Sequence, residues 1–401
     1  MGSRWGSRWD DRWAILALLF AVRLGMAFQF QSVAAISPVV MREFGVGLAD
    51  IGLMISLYLA PGLAIALPGG EIGRRCGDKR AVLLGLALMI GGGLTMALAP
   101  SWPWQIAGRL LAGIGGVLLN VLMSKMVTDW FAGREIATAM GIFVTSWPVG
   151  IAMALIALPP LAEAGGASAV QLCAVASALV GFLATSLLYR APPDRAAAAA
   201  SAAAWPAGAA LYAVIAAGAI WGLYNAALGM VFGFGTAMLT ERGWTLAAAG
   251  SATSLFLWLG GISVPLGGIV ADRTDRRAAV MLAGFALTAV ALPIAARAET
   301  VMPAFAVLGL IGGIAAGPII SLPARVLHAE TRAVGMGVFY TVFYAMTVAG
   351  PIVAGWVAGR VGTSAVAFDV GALMLAGCGL AYWAFERLSE PFVPGRLAGR
   401  P

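Results

Sequence analysis

Twelve apolar runs of about 20 residues each follow one another along this chain, and nothing else in it restricts the fold as strongly. They lie near 13–39, 49–69, 80–100, 104–124, 136–160, 167–189, 208–237, 246–270, 278–296, 301–323, 334–358 and 364–385, separated by short charged or Pro/Gly-containing turns. A bilayer core about 30 Å thick takes roughly that length of helix to cross. With 61% hydrophobic and only 11% charged residues, the 401-residue chain has far too much apolar surface for a water-soluble globule. The expected fold is an all-α membrane protein of twelve transmembrane helices. The basic stretch Arg4, Arg8 and Arg12 precedes a run too long for a secretory signal, and a second run follows quickly, so the first helix is expected to stay uncleaved.

Loop charge gives the orientation. Of the 25 Lys and Arg, 19 fall in the loops on the side that holds both chain ends and the central loop, while Arg42, Arg242, Arg297 and Arg360 fall on the other. The positive-inside rule therefore places both termini in the cytoplasm, and the asymmetry is a second argument for twelve spans. The net charge of +7 is spread over these loops rather than gathered on one face, so membrane lipids are the expected partners and nucleic acid is not. Arg outnumbers Lys 23 to 2, as in GC-rich bacterial genomes, and the expected location is a bacterial inner membrane. Cys76, Cys173 and Cys378 are too scattered for a disulfide framework or a metal site. His328, the one histidine, falls in a charged loop. Neither a Gly-Lys-Ser/Thr phosphate loop nor an H-E-x-x-H pair occurs, so no enzyme, cofactor, ATP drive or catalytic metal is expected.

The chain repeats itself. Gly70-Glu-Ile-Gly-Arg74-Arg75-Cys-Gly77-Asp78-Lys79 aligns with Gly268-Ile-Val-Ala-Asp272-Arg273-Thr-Asp275-Arg276-Arg277 at an offset of 198, and Ala139-Met140-Gly141-Ile142-Phe143 with Gly335-Met336-Gly337-Val338-Phe339 at 196. Two pseudo-symmetric six-helix bundles follow, residues 1–195 and 196–401, joined where Arg190-Ala-Pro-Pro-Asp194-Arg195 gives way to an Ala-rich run. Such repeats commonly hold cargo between them near the bilayer midplane.

These residues resemble the major facilitator superfamily, whose loop signature after the second span reads G-x-x-x-D-R-x-G-R-K/R. The second copy keeps Gly268, Asp272, Arg273, Arg276 and Arg277; the first keeps Gly70, Arg75, Gly77 and Lys79 but has Arg74 in the acid's place. Arg109 followed by Gly113, Gly115 and Gly116 in span 4, and Asp129-Trp130-Phe131 with Arg134-Glu135 after it, resemble the family as well. The resemblance implies a secondary carrier that alternates between two open states. It also makes Gly70, Arg75, Asp78, Gly268, Asp272 and Arg273 a candidate conformational latch: glycine lets helices touch, and the acid caps a neighbouring helix N-terminus. With Arg74 in the first copy, that latch is expected to be weaker or rebuilt around Asp78.

Charged groups inside a membrane are costly, and two stand out: Arg23 in the middle of span 1 and Arg109 early in span 4. No Asp or Glu accompanies them away from the span ends, so the expected cavity is electropositive and its cargo a small anion, held by guanidinium. Each arginine has a second possible role, satisfying backbone carbonyls and bracing helices. Gln31 shares the face of Arg23; at the repeat-related position stand Trp221, Tyr224 and Asn225, while Tyr340 and Tyr344 form a stripe in span 11. The candidate substrate-binding set is thus Arg23, Gln31, Arg109, Tyr224, Asn225, Tyr340 and Tyr344, with Tyr58, Asn120, Ser124, Trp147 and Trp258 behind them. The span 1 arginine and the Trp-Phe loop resemble the family's porters of cyanate, nitrate or small carboxylates, although the paired arginines of nitrate porters in spans 2 and 8 are missing. Proton or counter-anion coupling, and a monomer, are expected. Export of drugs or metabolites, and a non-transporting sensor on the same fold, are the competing functions.

Overall fold

A computed structural model describes residues 3–65, 77–99, 101–131, 135–192, 205–328 and 330–390. Among these, eleven helical stretches are long and apolar enough to cross a bilayer. One of them, Ala139–Leu188, has 50 residues, and at 1.5 Å per residue it would be about 75 Å long, more than twice a bilayer core. It breaks at Gly166, whose φ of 69° is closed to most side chains, and so supplies two crossings. Twelve crossings result, and they put Ser3 and Ser389 on one side, here the terminal side; the opposite is the far side.

The spans follow in order. Span 1 is Ser3–Gln31, prolonged by a 3-10 turn Ala34–Ile36 and a helix Ser37–Phe44. Span 2 is Leu48–Leu57 with Gly62–Ile65. Asp78–Leu98 and Trp102–Trp130 are spans 3 and 4, and Ile136–Leu188 holds spans 5 and 6. Ala209–Glu241, Leu246–Thr274 and Arg277–Arg297 are spans 7 to 9. Span 10 comprises Val301–Gly312, Ala316–Ile320 and Leu322–Arg325; Arg332–Val361 and Val366–Ser389 complete the set. The sequence places span 1 in one piece through Pro38, but the helix stops at Gln31 and restarts with Pro38 in its first turn, where a missing N–H costs nothing. At the lipid surface, Trp356 lies under Arg360 on the far side and Trp383 under Arg387 on the terminal side, each guanidinium about one turn beyond its ring.

The repeat seen in the loop motifs also governs the helix ends. Glu43 and Glu241, 198 residues apart, close spans 1 and 7, and each is followed by a left-handed glycine, Gly45 or Gly243. The Glu43 carboxylate accepts the Ala167 N–H at the start of span 6, at 3.2 Å. Glu241 accepts the Ser364 N–H (2.9 Å) and Oγ (2.6 Å) and the Thr363 hydroxyl (3.0 Å) at the start of span 12. An anion at a helix N-terminus fills otherwise orphaned donors and complements the dipole. Within the first bundle, spans 3 and 4 run antiparallel with their backbones touching, because Gly92 meets Gly108 and Gly85 meets Gly115.

Between the bundles, contact is concentrated on the far side. A Cβ on Gly52 of span 2 would run into the Pro351 carbonyl of span 11, and a Cβ on Gly250 of span 8 into the Leu155 carbonyl of span 5. These are one contact made twice: Gly52 and Gly250 differ by 198, and Leu155 and Pro351 by 196. One apolar core takes in the far half of the first bundle together with the second bundle, while the terminal half of the first bundle has a core of its own, including Leu19, Met89, Met126 and Phe143. The terminal half of span 5 is accordingly exposed on opposite faces, Ile142 by 42% and Val144 by 49%. In the far half of span 8 the exposed positions instead fall on a single stripe, Ala248, Ser251 and Trp258. The space between the bundles is therefore closed on the far side and open on the terminal side.

Removing the stronger of the repeated caps gives a measurable loss. Glu241→Ala is expected to destabilise the protein by about 1–3 kcal/mol and Glu43→Ala by less, read as the drop in thermal unfolding temperature in detergent.

Candidate functional site

The far-side closure sets the depth of everything beneath it. Gln31 Nε2 donates to the Phe232 carbonyl of span 7 at 2.6 Å, Phe30 packs against the rings of Phe232 and Trp147, and Ser56 Oγ donates to the Val348 carbonyl at 2.7 Å. Seven residues before Phe30 on the same helix face, and about 10 Å nearer the terminal side, stands Arg23. Tyr344 and Tyr340 lie one and two turns below Val348, and Trp221 three turns below Phe232 on one face of span 7. Arg23, Tyr340, Tyr344 and Trp221 thus occupy neighbouring depths under the closure.

Arg23 is held by what a proline leaves undone. Pro148 has no N–H, so the Val144 carbonyl one turn earlier in span 5 lacks its helical donor. Arg23 Nη1 supplies one at 3.0 Å, and also meets the Phe143 carbonyl at 3.1 Å and Ser146 Oγ at 3.3 Å. Nε donates to Asn120 Oδ1 of span 4 at 3.2 Å, and the guanidinium lies over the Phe143 and Trp147 rings, 4.8 and 5.9 Å from their centroids. Asn120 in turn donates from Nδ2 to the Tyr344 hydroxyl at 3.3 Å, which joins the two bundles at this depth. The remaining nitrogen, Nη2, makes no hydrogen bond, and the side chain stays partly exposed. Tyr340, 43% exposed, lies within electrostatic reach of Arg23. Every described Asp and Glu sits in a loop or near a span end, so the charge of Arg23 has no carboxylate partner at mid-depth.

The other expected site residues are disposed differently. Arg109 is 1% exposed, and each of its nitrogens is taken: Nε by the Met54 carbonyl (2.9 Å), Nη1 by Gln29 (3.1 Å) and Nη2 by Phe30 (2.6 Å). Those carbonyls lie in the last turns of the helices of spans 1 and 2, and the Gln29 carbonyl also accepts the Ser32 N–H at 3.1 Å, so this arginine braces two helix ends. Gly113 and Gly116, which follow it, make room for Tyr58, whose ring lies 4.7 Å from the guanidinium. Tyr224 turns away from the inter-bundle space and donates to the Gly312 carbonyl of span 10. Asn225 bonds its own helix at Trp221, and Gln31 belongs to the closure. Of the sequence candidates, the structure brings together Arg23, Tyr340 and Tyr344, joined by Asn120 and Ser146, with the Tyr344 ring buried against Gly62 of span 2. Ser146 was not among the sequence candidates; the signal for it was Pro148, which frees a carbonyl opposite the mid-span arginine.

Of the latch residues, Gly70 and Arg75 lie outside the described residues. Asp78 is buried at the start of span 3 and takes Lys125 Nζ at 2.7 Å, with Asp129 on the other side of the ammonium at 2.8 Å. The acid of the second copy caps no neighbouring helix. Asp272 pairs with Arg277 across the turn to span 9, with both side chains mostly exposed, a geometry worth about 1 kcal/mol at most. Gly268 is approached by Gly317 of span 10, and Arg273 is exposed. The two copies are unequal: of the two outcomes expected for the first, the one seen is an ion pair built on Asp78, and it is more buried than the Asp272–Arg277 pair of the second.

A bracing Arg109 has a clear signature. Arg109→Met takes the guanidinium from the Met54 and Phe30 carbonyls in an apolar interior, while Gln29 keeps the Ser32 N–H, and is expected to cost about 3 kcal/mol or more, seen as loss of monodisperse protein and a lowered melting temperature.

Comparison with known proteins sets this geometry in a family. The chain resembles the solved structure of a bacterial homologue of the human lysosomal transporter Spinster, in an inward-facing and unoccupied conformation, with a TM-score of 0.75 and 14% identity over 95% of this chain and 98% of that one. Among curated proteins it is 29% identical over 148 residues to mouse solute carrier family 2, facilitated glucose transporter member 10, a stretch covering 36% of this chain and 27% of that protein. It is 30% identical over 141 residues to azole resistance protein 1 of Saccharomyces cerevisiae, 34% of this chain and 23% of that one. The matched stretches span only about a quarter of these relatives. The Major Facilitator Superfamily model matches residues 15–240 and again 234–400, and with nearly its whole length so matched, the chain belongs to that superfamily.

Proposed function

We propose that this membrane transporter is a secondary carrier for a small anionic solute, moved by rocking of the bundles 1–195 and 196–401 about the space under the far-side closure. The observation that carries the reading is the Arg23 guanidinium: anchored by four acceptors, with Nη2 open and no carboxylate partner at its depth. Arginine keeps its charge when partly desolvated and forms strong charge-assisted bonds to oxyanions. Arg23, Tyr340 and Tyr344 are the proposed contacts, and Asn120 passes their occupancy between bundles. With no acid at mid-depth among the described residues to carry a proton, exchange against a second anion is the simplest coupling. The proposed carrier is a monomer in a bacterial inner membrane, and loop charge supports cytoplasmic termini, which makes the terminal side the cytoplasmic one. A second reading, export of lipophilic compounds, draws on the relative named for azole resistance.

A thermal-shift panel of anions, cations and neutral lipophiles on the purified chain decides between them. An anion near 100 times its Kd should stabilise the protein by about 2.7 kcal/mol. Arg23→Gln should remove most of that shift and reduce uptake of the same anion into proteoliposomes at least tenfold. Stabilisation by neutral or cationic compounds alone, unaffected by Arg23→Gln, would establish the export reading instead.

A further inference from the structure

We infer that the cargo is an organic anion of single charge with a flat apolar or aromatic body, a benzoate-like carboxylate rather than an inorganic oxyanion or a dicarboxylate; this rests on the proposed anion site at Arg23. The charge follows from counting available donors. Arg109 has all three nitrogens on carbonyls and is 1% exposed, so Arg23 is the cation at this depth open to a ligand. Its Nε and Nη1 are occupied as well, which leaves Nη2 alone. A carboxylate therefore cannot take the two-pronged grip that makes arginine a strong anion receptor. A second negative charge would enter the same space unpaired, at a desolvation cost. One nitrogen, without the paired grip, holds one charge and holds it weakly.

The rest of the binding must come from the cargo's body, and the opposite wall is built for one. Trp221 and Phe343 stack at 6.2 Å with planes 26° apart, and Tyr340 stands edge-on to Phe343 at 6.2 Å. The wall is continuous with the charged pole, because Phe343 also packs on Tyr344, which Asn120 ties to Arg23. Trp221 is half-buried and shares its helix face with Phe232, which touches span 1 at the closure, so this face looks toward the first bundle. An inorganic anion would leave the whole aromatic surface without a partner. A ring carrying one carboxylate would engage Nη2 with its charge and the rings with its face or edge.

The test measures binding of acetate, benzoate, phthalate and benzamide to the full-length detergent-purified protein by calorimetry at neutral pH. Benzoate should bind at least tenfold tighter than acetate, phthalate and benzamide. The benzoate-to-acetate ratio should fall severalfold in Tyr340→Ala, whose exposed side chain can be removed without opening the core, and further in Trp221→Ala. Should Trp221→Ala fail to fold, the Tyr340→Ala ratio decides. Equal binding of acetate and benzoate, or an unchanged ratio in Tyr340→Ala, overturns the aromatic inference and leaves the anion site standing. Phthalate binding tighter than benzoate overturns the single charge. Benzamide matching benzoate, with no effect of Arg23→Gln, removes the anion site and this inference together.

Discussion

Two backbone contacts decide the shape of this molecule. Because Gly52 and Gly250 have no side chain, spans 2 and 8 lie directly on the carbonyls of spans 11 and 5, and the two bundles meet on the far side and part on the other. Every depth in the site is counted from there. Two turns of span 1, two of span 11 and three of span 7 carry Arg23, Tyr340 and Trp221 to adjoining levels, where the apolar core no longer crosses between bundles. A methyl group at either glycine would separate these walls, and with them the charged pole and the aromatic face.

The two arginines inside the spans, Arg23 and Arg109, show how one chemistry yields two outcomes. Lipid-facing segments cannot leave backbone groups unpaired, so helix ends and prolines inside a membrane create carbonyls that need donors. Arg109 meets the carbonyls of Met54 and Phe30 at the ends of two helices, shares that of Gln29 with the Ser32 N–H, and is used up. Arg23 meets the one freed by Pro148, its neighbour at Phe143, a serine and an asparagine, and has one nitrogen left over. Whether an arginine is used up or keeps a nitrogen free depends on the acceptors within its reach, not on the residue.

Much of this could be read from the sequence, for physical reasons that differ by feature. The spans are legible because hydropathy over 20 residues is a collective property, and the repeat because its loops carry rare residues at a fixed offset. Arg23 stood out since a mid-span charge is costly. Arg109 was equally conspicuous, but its role depended on where the helices of spans 1 and 2 stop, which follows from breaks at Gln31 and Leu57 that hydropathy does not register. Tyr224 and Asn225 lie on the right helix at the right level, yet their direction depends on which partner helix each face meets. The exposure of Asp272 beside Arg277 was not legible, because a motif fixes residue types and not the burial that makes a charge pair strong.

Among the described residues, the far-side closure has no ion pair between the bundles. Glu43, Glu241 and the pair Arg297–Asp369 all act within one bundle, and what joins the two halves there is glycine against carbonyl, two hydrogen bonds from Gln31 and Ser56, and rings. The terminal side of the first bundle, by contrast, carries Arg12–Glu135 and Asp78–Lys125–Asp129. Charge thus fastens helices inside each bundle, whereas packing and uncharged hydrogen bonds fasten one bundle to the other; under the proposed rocking, parting the bundles on the far side would break contacts that dissolved salt does not screen.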